Sequence, residues 1–498
     1  MKQLKKSPFF IFLLVVFFIL HGSVENFGFI YFSEIIKAGL IISGCVALLY
    51  FIIKLFIKNT IHAALVCFFI STWMLFFGAI FDWIKSIGFL FWIHSYTVFI
   101  PFMLCTIVGF IFFIRKKINL RHTLCFYLNV LLLVYCAVDI AGLILKSTRV
   151  DNQALKTEIK FDAALVKTKP NVYFLLYDEY PGYKSLQDSF AFSNDSLYHF
   201  LEDKGFNFLP IFSNYNMTFY SMSSMLDMDY IHKPYHALAN TMEDDQLRIK
   251  EIKTPLAIGY FKSIGYSFTN YSIFDILDQP AVKENSFVIS QAALITNKIF
   301  FNKILQDVGW HFVSGKYSIP FIKYIYMEGD RRNKSIQHEL SKIQPLKNAL
   351  PHFTYAHFLM PHPPLFCDSA GNDLPAEQVF DPATYGNKQI FLSYLKFANK
   401  KIETLAAAIC KNDPSSIVIV MSDHGYRNYN NSSLTEPLQF DNICAIRFPD
   451  KNYLPIKNKL SNVNFFRYLF NCEFNQQLPY LTDSSIFLKD KKTIDNKQ

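Results

Sequence analysis

Residues 415–428 read "SSIVIVMSDHGYRN". Ile417 to Met421 is an apolar, largely β-branched run of the kind that makes a buried strand, and it stops abruptly at Ser422-Asp423-His424-Gly425. An acid and an imidazole side by side on a rigid strand end are residue types that hold a metal ion. "NVYFLLYDEYPGY" (171–183) repeats the form, with the run Val172 to Tyr177 breaking into Asp178-Glu179-Tyr180 before Pro-Gly. A third strand-like stretch, "HFTYAHFLMPHPPLFCD" (352–368), carries His357 and, five residues on, His362. Carboxylates with imidazoles suit a divalent cation of the Mn²⁺ or Zn²⁺ type, whereas softer ions call for thiolates. Each motif also has a bland reading, since a strand-end Asp is often structural and a His in "PHPP" can simply cap a turn.

What must position these residues is a sheet. Helix-like segments at 194–204, 390–410 and 462–472 alternate with the strands, which predicts an α/β sandwich around a mostly parallel central sheet. In such sheets the ligand site lies beyond the carboxyl ends of the strands, so Asp178, His362, Asp423 and His424 are expected to converge. This domain is expected over 170–450. A polar connecting segment (146–169) precedes it, ended by Pro170, and a C-terminal extension (451–498) packs on it.

The first 145 residues are of another kind. Apolar runs at 8–22, 35–57, 61–84, 89–114 and 122–145 predict a membrane domain of five helices; the last four have the ~20 residues needed to cross the hydrocarbon core, and the first is shorter. No small-x-small cleavage site follows the first run at "HGSVENF", so it reads as an uncleaved span. With the N-terminus inside, the cytoplasmic segments hold nine basic residues, against only Lys37 and Lys85 in the outer loops. That bias places everything after about residue 146 outside the cytoplasm. Asp82 and Asp139 fall at or near outer span ends and read as interfacial.

The chain has 498 residues, 51% of them hydrophobic, and a net charge of +9. Much of the basic charge flanks apolar runs and no basic patch is interleaved with aromatics, so no nucleic-acid partner is indicated. Five of the nine cysteines lie in apolar runs and the rest are scattered without a CxxC, which disfavours a zinc knuckle and leaves disulfide pairing open.

Taken in order, "NVYFLLYDEY", "SNYNMTFYSMSSML", "HFLMPHPP" and "MSDHG" resemble the sulfatase-like branch of the alkaline phosphatase superfamily. With the membrane segment, the chain is similar to lipoteichoic acid synthases and lipid A phosphoethanolamine transferases. The resemblance spans about 170 to 450. It implies a metal-bound hydroxyl nucleophile at the start of a helix, matched here by Thr218, with Ser221 and Ser223 as fallbacks. Asp178, Thr218, Asp423 and His424 then become the metal ligands. His357 and His362 match paired histidines that contact the substrate phosphate or protonate the leaving group. Glu179 is either a further ligand or points away. The sulfatase motif Cys-x-Pro-x-Arg or Ser-x-Pro-x-Arg is absent, which disfavours sulfate esters and points to phosphorus. The activity implied is transfer of a phosphoethanolamine or phosphoglycerol type head group from a membrane phospholipid to an envelope glycan or lipid, through a phospho-threonine. The alternatives are a phosphodiesterase or phosphatase that transfers to water, and a non-catalytic envelope module.

Overall fold

The computed structural model describes residues 5–27, 30–148, 159–231, 239–240, 242–281, 292–313, 318–343, 350–380, 384–427, 436–456 and 458–490. The chain forms two compact units, Met1–Asn152 with Ile289–His311, and Gln153–Val288 with Phe312–Gln498. Residues 149–158 of the expected connecting segment and 491–498 of the C-terminal extension lie outside the described residues.

The first unit is helical: α1 (Phe10–Glu25), α2 (Phe32–Phe56), α3 (Thr60–Lys85), α4 (Tyr96–Lys116) and α5 (Ile118–Thr148). Helices α2 to α5 are long and apolar enough to cross a membrane. Helix α1 has 16 residues, a rise of about 24 Å against a hydrocarbon core of roughly 30 Å. Among the described residues, four helices, rather than five, therefore meet the length criterion. The helix expected over 89–114 begins only at Tyr96, where Ser95 caps it by accepting from Thr97 N, and Gly88–Ile93 forms a separate 3₁₀ turn. Hydropathy merged the two because "GFLFWI" is as apolar as the helix after it.

The second unit is built on a six-stranded sheet of β1 (Val172–Tyr177), β2 (Asn207–Phe208), β3 (Ser267–Tyr271), β4 (His352–Phe358), β5 (Ile417–Met421) and β6 (Cys444–Arg447), in the order β2-β6-β5-β1-β4-β3. The four strands β5-β1-β4-β3 run parallel, and β6 and β2 add antiparallel pairings at one edge. Helices α6 (Tyr183–Phe190) and α7 (Thr218–Asp227) follow β1, and α8 (Phe300–Val308) belongs to the helical unit. Helices α9 (Glu328–Ser341), α10 (Lys388–Asn412) and α11 (Phe465–Glu473) complete the layers.

Side chains alternate across a strand, and β1 is buried at all six positions, so it needs cover on both faces. Val172, Phe174 and Leu176 pack with Met222, Met225 and Leu226 of α7 and Phe466 and Phe470 of α11. Tyr173, Leu175 and Tyr177 pack with Leu186 of α6, Leu340 of α9 and Leu395 and Ile402 of α10. Each fully buried Leu, Ile or Phe contributes about 1.5–3 kcal/mol, which fixes where the strands end. Leu176 lies level with both His357 and Met421, so Asp178 and Asp423 each stand two residues beyond a paired position. The nine cysteines form no disulfide among the described residues.

Candidate metal centre

The tips of β1 and β5 are tied to each other. Glu179 N donates to Asp423 Oδ1 at 3.2 Å and Tyr180 N donates to Ser422 Oγ at 2.8 Å. Glu179 takes a left-handed conformation, φ 60°, which costs a non-glycine residue about 1–3 kcal/mol. The turn lets its Oε1 accept Arg427 N at 2.6 Å. Beyond β5, Ser422 Oγ donates to His424 O at 2.7 Å, and Asn442 Nδ2 donates to Ser422 O at 2.7 Å. Gly425 follows because a Cβ there would fall 2.5 Å from Asp441 O and 2.6 Å from Leu438 O.

Asp178, Asp423 and His424 are fully buried and present ligand atoms within 4.8 Å of one another. His424 Nδ1 donates to Gly425 O at 2.8 Å, so its Nε2 carries the lone pair. Burial, only partly offset by Asp423, pulls this imidazole down to about 4, and it is neutral at physiological pH. Its Nε2 nevertheless lies 3.2 Å from Asp423 Oδ2, two acceptor atoms facing each other. Asp178 Oδ1 and Asp423 Oδ2 have no hydrogen-bond partner among the described residues. Burial and the neighbouring Asp423 push the Asp178 carboxyl well above the usual range. Burial would raise Asp423 too, but His424 and His357 hold it below that range. Like charges sharing one buried site split in this way. Unpartnered buried carboxylate oxygens are costly, and a divalent cation relieves the cost, so the donor set fits one.

Thr218 is the first residue of α7 and buried. Its Oγ1 lies 3.1 Å from His424 Nε2, at the helix N-terminus. The other hydroxyls of this helix turn elsewhere: Ser221 Oγ donates to Asp423 O at 2.6 Å and Ser223 Oγ to Glu251 Oε2 at 2.7 Å.

The two histidines five apart have different partners. His357 is fully buried on β4, with Nε2 3.2 Å from Asp178 Oδ2 and Nδ1 3.0 Å from Tyr355 OH, and orients the Asp178 carboxylate. His362 lies in the loop beyond, its Nε2 3.7 Å from Glu179 Oε2 and accepting from Arg427 Nη2 at 3.1 Å. Burial pulls both imidazoles down to about 3, with the Arg427 charge adding to the effect at His362. Burial pushes Glu179 up to about 7 against the pull of Arg427.

Two residues beyond the sequence-derived set join the site. Arg427 reaches from the β5 loop to Met217, just before Thr218, with Nη1 donating to Sδ at 3.1 Å, and its Nε has no partner among the described residues. Asn462 Nδ2 donates to Asp423 O at 2.8 Å. Arg427 stands three residues beyond His424, close enough to single out, but which way it would turn depends on His362 and Met217.

No protein-family model and no curated protein matches the chain. Among solved structures it is similar to the C-terminal periplasmic domain of EcEptC from Escherichia coli in complex with Zn (10% identity, covering 65% of this chain and 86% of that one, TM-score 0.37). It is also similar to the phosphonate monoester hydrolase SpPMH from Silicibacter pomeroyi (12% identity, 64% and 75%, TM-score 0.39). A third is a protein in the alkaline phosphatase superfamily from Vibrio parahaemolyticus (14% identity, 64% and 72%, TM-score 0.33). Likenesses at these values carry no activity over to this chain.

Proposed function

We propose that the chain is a membrane-anchored, metal-dependent phosphotransferase that carries a phospholipid head group on Thr218 and passes it to an envelope glycan or lipid. The observation behind this reading is a helix-start hydroxyl 3.1 Å from a neutral imidazole, beside two buried carboxylates with unpartnered oxygens. Asp178, Asp423 and His424 would hold the ion with Thr218, and a bound Mn²⁺ or Zn²⁺ supplies positive charge that favours the threonine alkoxide and the developing phosphorane charge. Thr218 Oγ1 forms the new bond to phosphorus as the bond to the lipid alcohol breaks. The threonine proton leaves and the departing alcohol regains one, so the step is proton-neutral. The N-terminus of α7 and the Arg427 guanidinium favour the phosphate anion on the side of His362. In the second half the acceptor hydroxyl displaces Thr218, which recovers its proton.

In this reading α1 completes a five-span membrane domain despite its length, and the basic residues Lys5, Lys6, Lys54, Lys58 and the 115–121 cluster stay inside. The α/β unit is then outside the cytoplasm, where a lipid donor and an envelope acceptor are both at hand.

The test is intact-protein mass spectrometry after incubation with phospholipids of isotopically labelled head group and Mn²⁺ or Zn²⁺. We expect a labelled adduct on the Thr218 peptide, absent from Thr218→Ala, with its mass identifying the head group. An active protein that releases head group to water and never shows an adduct sinks the covalent reading.

A further inference from the structure

Between β3 and β4 the chain joins the helical unit, since Ile289–His311 groups with Met1–Asn152 and not with the sequence on either side. The described part, from Ala292, is seated in three ways. Gly78 N of α3 donates to Lys298 O at 2.8 Å, and a Cβ on Gly78 would fall 2.8 Å from that same oxygen, so α3 is notched to receive the segment. Ile295 is buried against Gly22 of α1, and Phe300 of α8 meets Phe77 edge-on with ring centroids 4.8 Å apart. Lys298 Nζ lies 3.3 Å from Asp82 Oδ2, Lys303 Nζ lies 3.1 Å from Asp307 Oδ2, and Tyr96 OH donates to Asp307.

Asp82 ends α3 and Tyr96 begins α4, so the charges gather at one end of two membrane-length helices. Exposed rings gather there too: Trp83 in the last turn of α3, Phe89, Phe91 and Trp92 on the chain between α3 and α4, and Phe301 on α8, 72% exposed. A polar network beside exposed aromatics, at the end of helices long enough to span, is the composition of a bilayer–water boundary. Phe301 on α8 gives an apolar ring for the upper acyl chains, and Lys298, its side chain 55% exposed beside Asp82, places an ammonium at head-group level.

We propose that residues 292–311 are a second membrane anchor, seated on α1, α3 and α4 at the lipid–water boundary, with Phe301 and the Gly88–Ile93 turn in contact with lipid. The α/β unit is thereby held to the membrane by chain crossings after Asn152, Val288 and His311, not by one. The inference rests on the membrane reading of α2 to α5 and on none of the Thr218 chemistry.

The experiment uses the full chain in phosphatidylcholine–phosphatidylglycerol vesicles, with a specific protease site inserted between residues 149 and 158. After cleavage and a high-salt wash, the fragment from 159 onward should stay in the vesicle pellet. Lys298→Glu with Phe300→Glu should send most of it to the supernatant while the uncleaved double variant still pellets. Release of the wild-type fragment overturns the proposal, and so does retention of the double variant's fragment equal to wild type. A cooperative melt of the released fragment at the wild-type temperature shows that the double variant left the α/β unit folded; loss of it directs the test to the milder Tyr96→Phe with Lys298→Ala, judged by the same release. Vesicles doped with a diazirine phosphatidylcholine should label Phe301 and the 88–93 turn on irradiation. Labelling of α2 to α5 without those positions overturns the lipid contact.

Discussion

Four Ser and Thr hydroxyls lie within α7, and their partners separate them: Thr218 faces His424, Ser221 the Asp423 carbonyl, Ser223 the Glu251 carboxylate and Ser224 the Asp229 carbonyl. Thr218→Ala should leave the metal content near wild type, because Asp178, Asp423 and His424 remain, while head-group turnover falls by several orders of magnitude. Ser223→Ala should leave turnover within a few-fold. Ser221→Ala removes a buried bond worth about 0.5–1.5 kcal/mol and should lower the melting temperature by a few degrees with turnover retained. Elemental analysis, a transfer assay and a melt on the same three proteins check the set. Arg427→Ala should raise KM for the lipid donor about 10- to 100-fold, the loss of one charged hydrogen bond, with Arg427→Lys restoring only part because the fork is lost. An unchanged KM in both variants would remove Arg427 from the substrate side of the site. At this scale "MSDHG" and "YDEY" were legible because an apolar strand that breaks into acids and an imidazole is conspicuous. Choosing among the α7 hydroxyls needed the resemblance, and Arg427, Asn462 and the division of His357 from His362 depend on contacts across 39 to 210 residues of chain.

At the scale of elements, the site depends on how tightly the β5 tip is clasped by the 438–441 backbone. Gly425→Ala puts a methyl against two carbonyl oxygens, an overpacking worth about 1–3 kcal/mol, and the α/β unit should melt several degrees lower and bind metal more weakly. Helix α11 carries a second weak point. Burial, then its contact with Asp450, pushes Glu473 up to about 8 from an ordinary 4.5, and its Oε1 has no partner among the described residues. Between pH 4.5 and 8 the unfolded chain ionises this carboxyl and the folded one keeps it protonated. Its contribution is therefore complete below the lower value and is lost as pH rises through the upper one. Glu473→Gln should stabilise the unit at pH 8.5 and flatten the pH dependence of the melt; an unchanged slope would refute the assignment. The parallel sheet and the membrane-length helices were readable from hydrophobic period and length. The 3₁₀ turn at Gly88–Ile93 was not, because hydropathy is blind to where an apolar run changes its backbone, although Ser95 ahead of "YTVF" was the available signal. Residues 292–311 were hidden for another reason: a short amphipathic helix looks the same whichever unit it packs on.

For the molecule as a whole, the proposed orientation is open to a direct check. Protease added to intact cells, or to spheroplasts where an outer membrane intervenes, should digest the α/β unit while α2 to α5 survive; protection until lysis would reverse the topology. Chelation should act on one unit only. A ligand at a thousand times its Kd contributes about 4 kcal/mol, so removing the metal should lower the α/β transition and leave the helical unit's unchanged. The packing of α11 and Asn462 bears on when the enzyme first becomes competent. Asn462 holds the Asp423 carbonyl, and Phe466 and Phe470 help cover one face of β1, yet these residues come some forty positions after the last proposed ligand. A nascent chain reaching only residue 455 would already contain Asp178, Thr218, Asp423 and His424 but lack the helix that closes their sheet. Assembly of the site should therefore wait for residues 462–473, and a chain truncated after 455 should be metal-free and inactive, however complete its set of ligands.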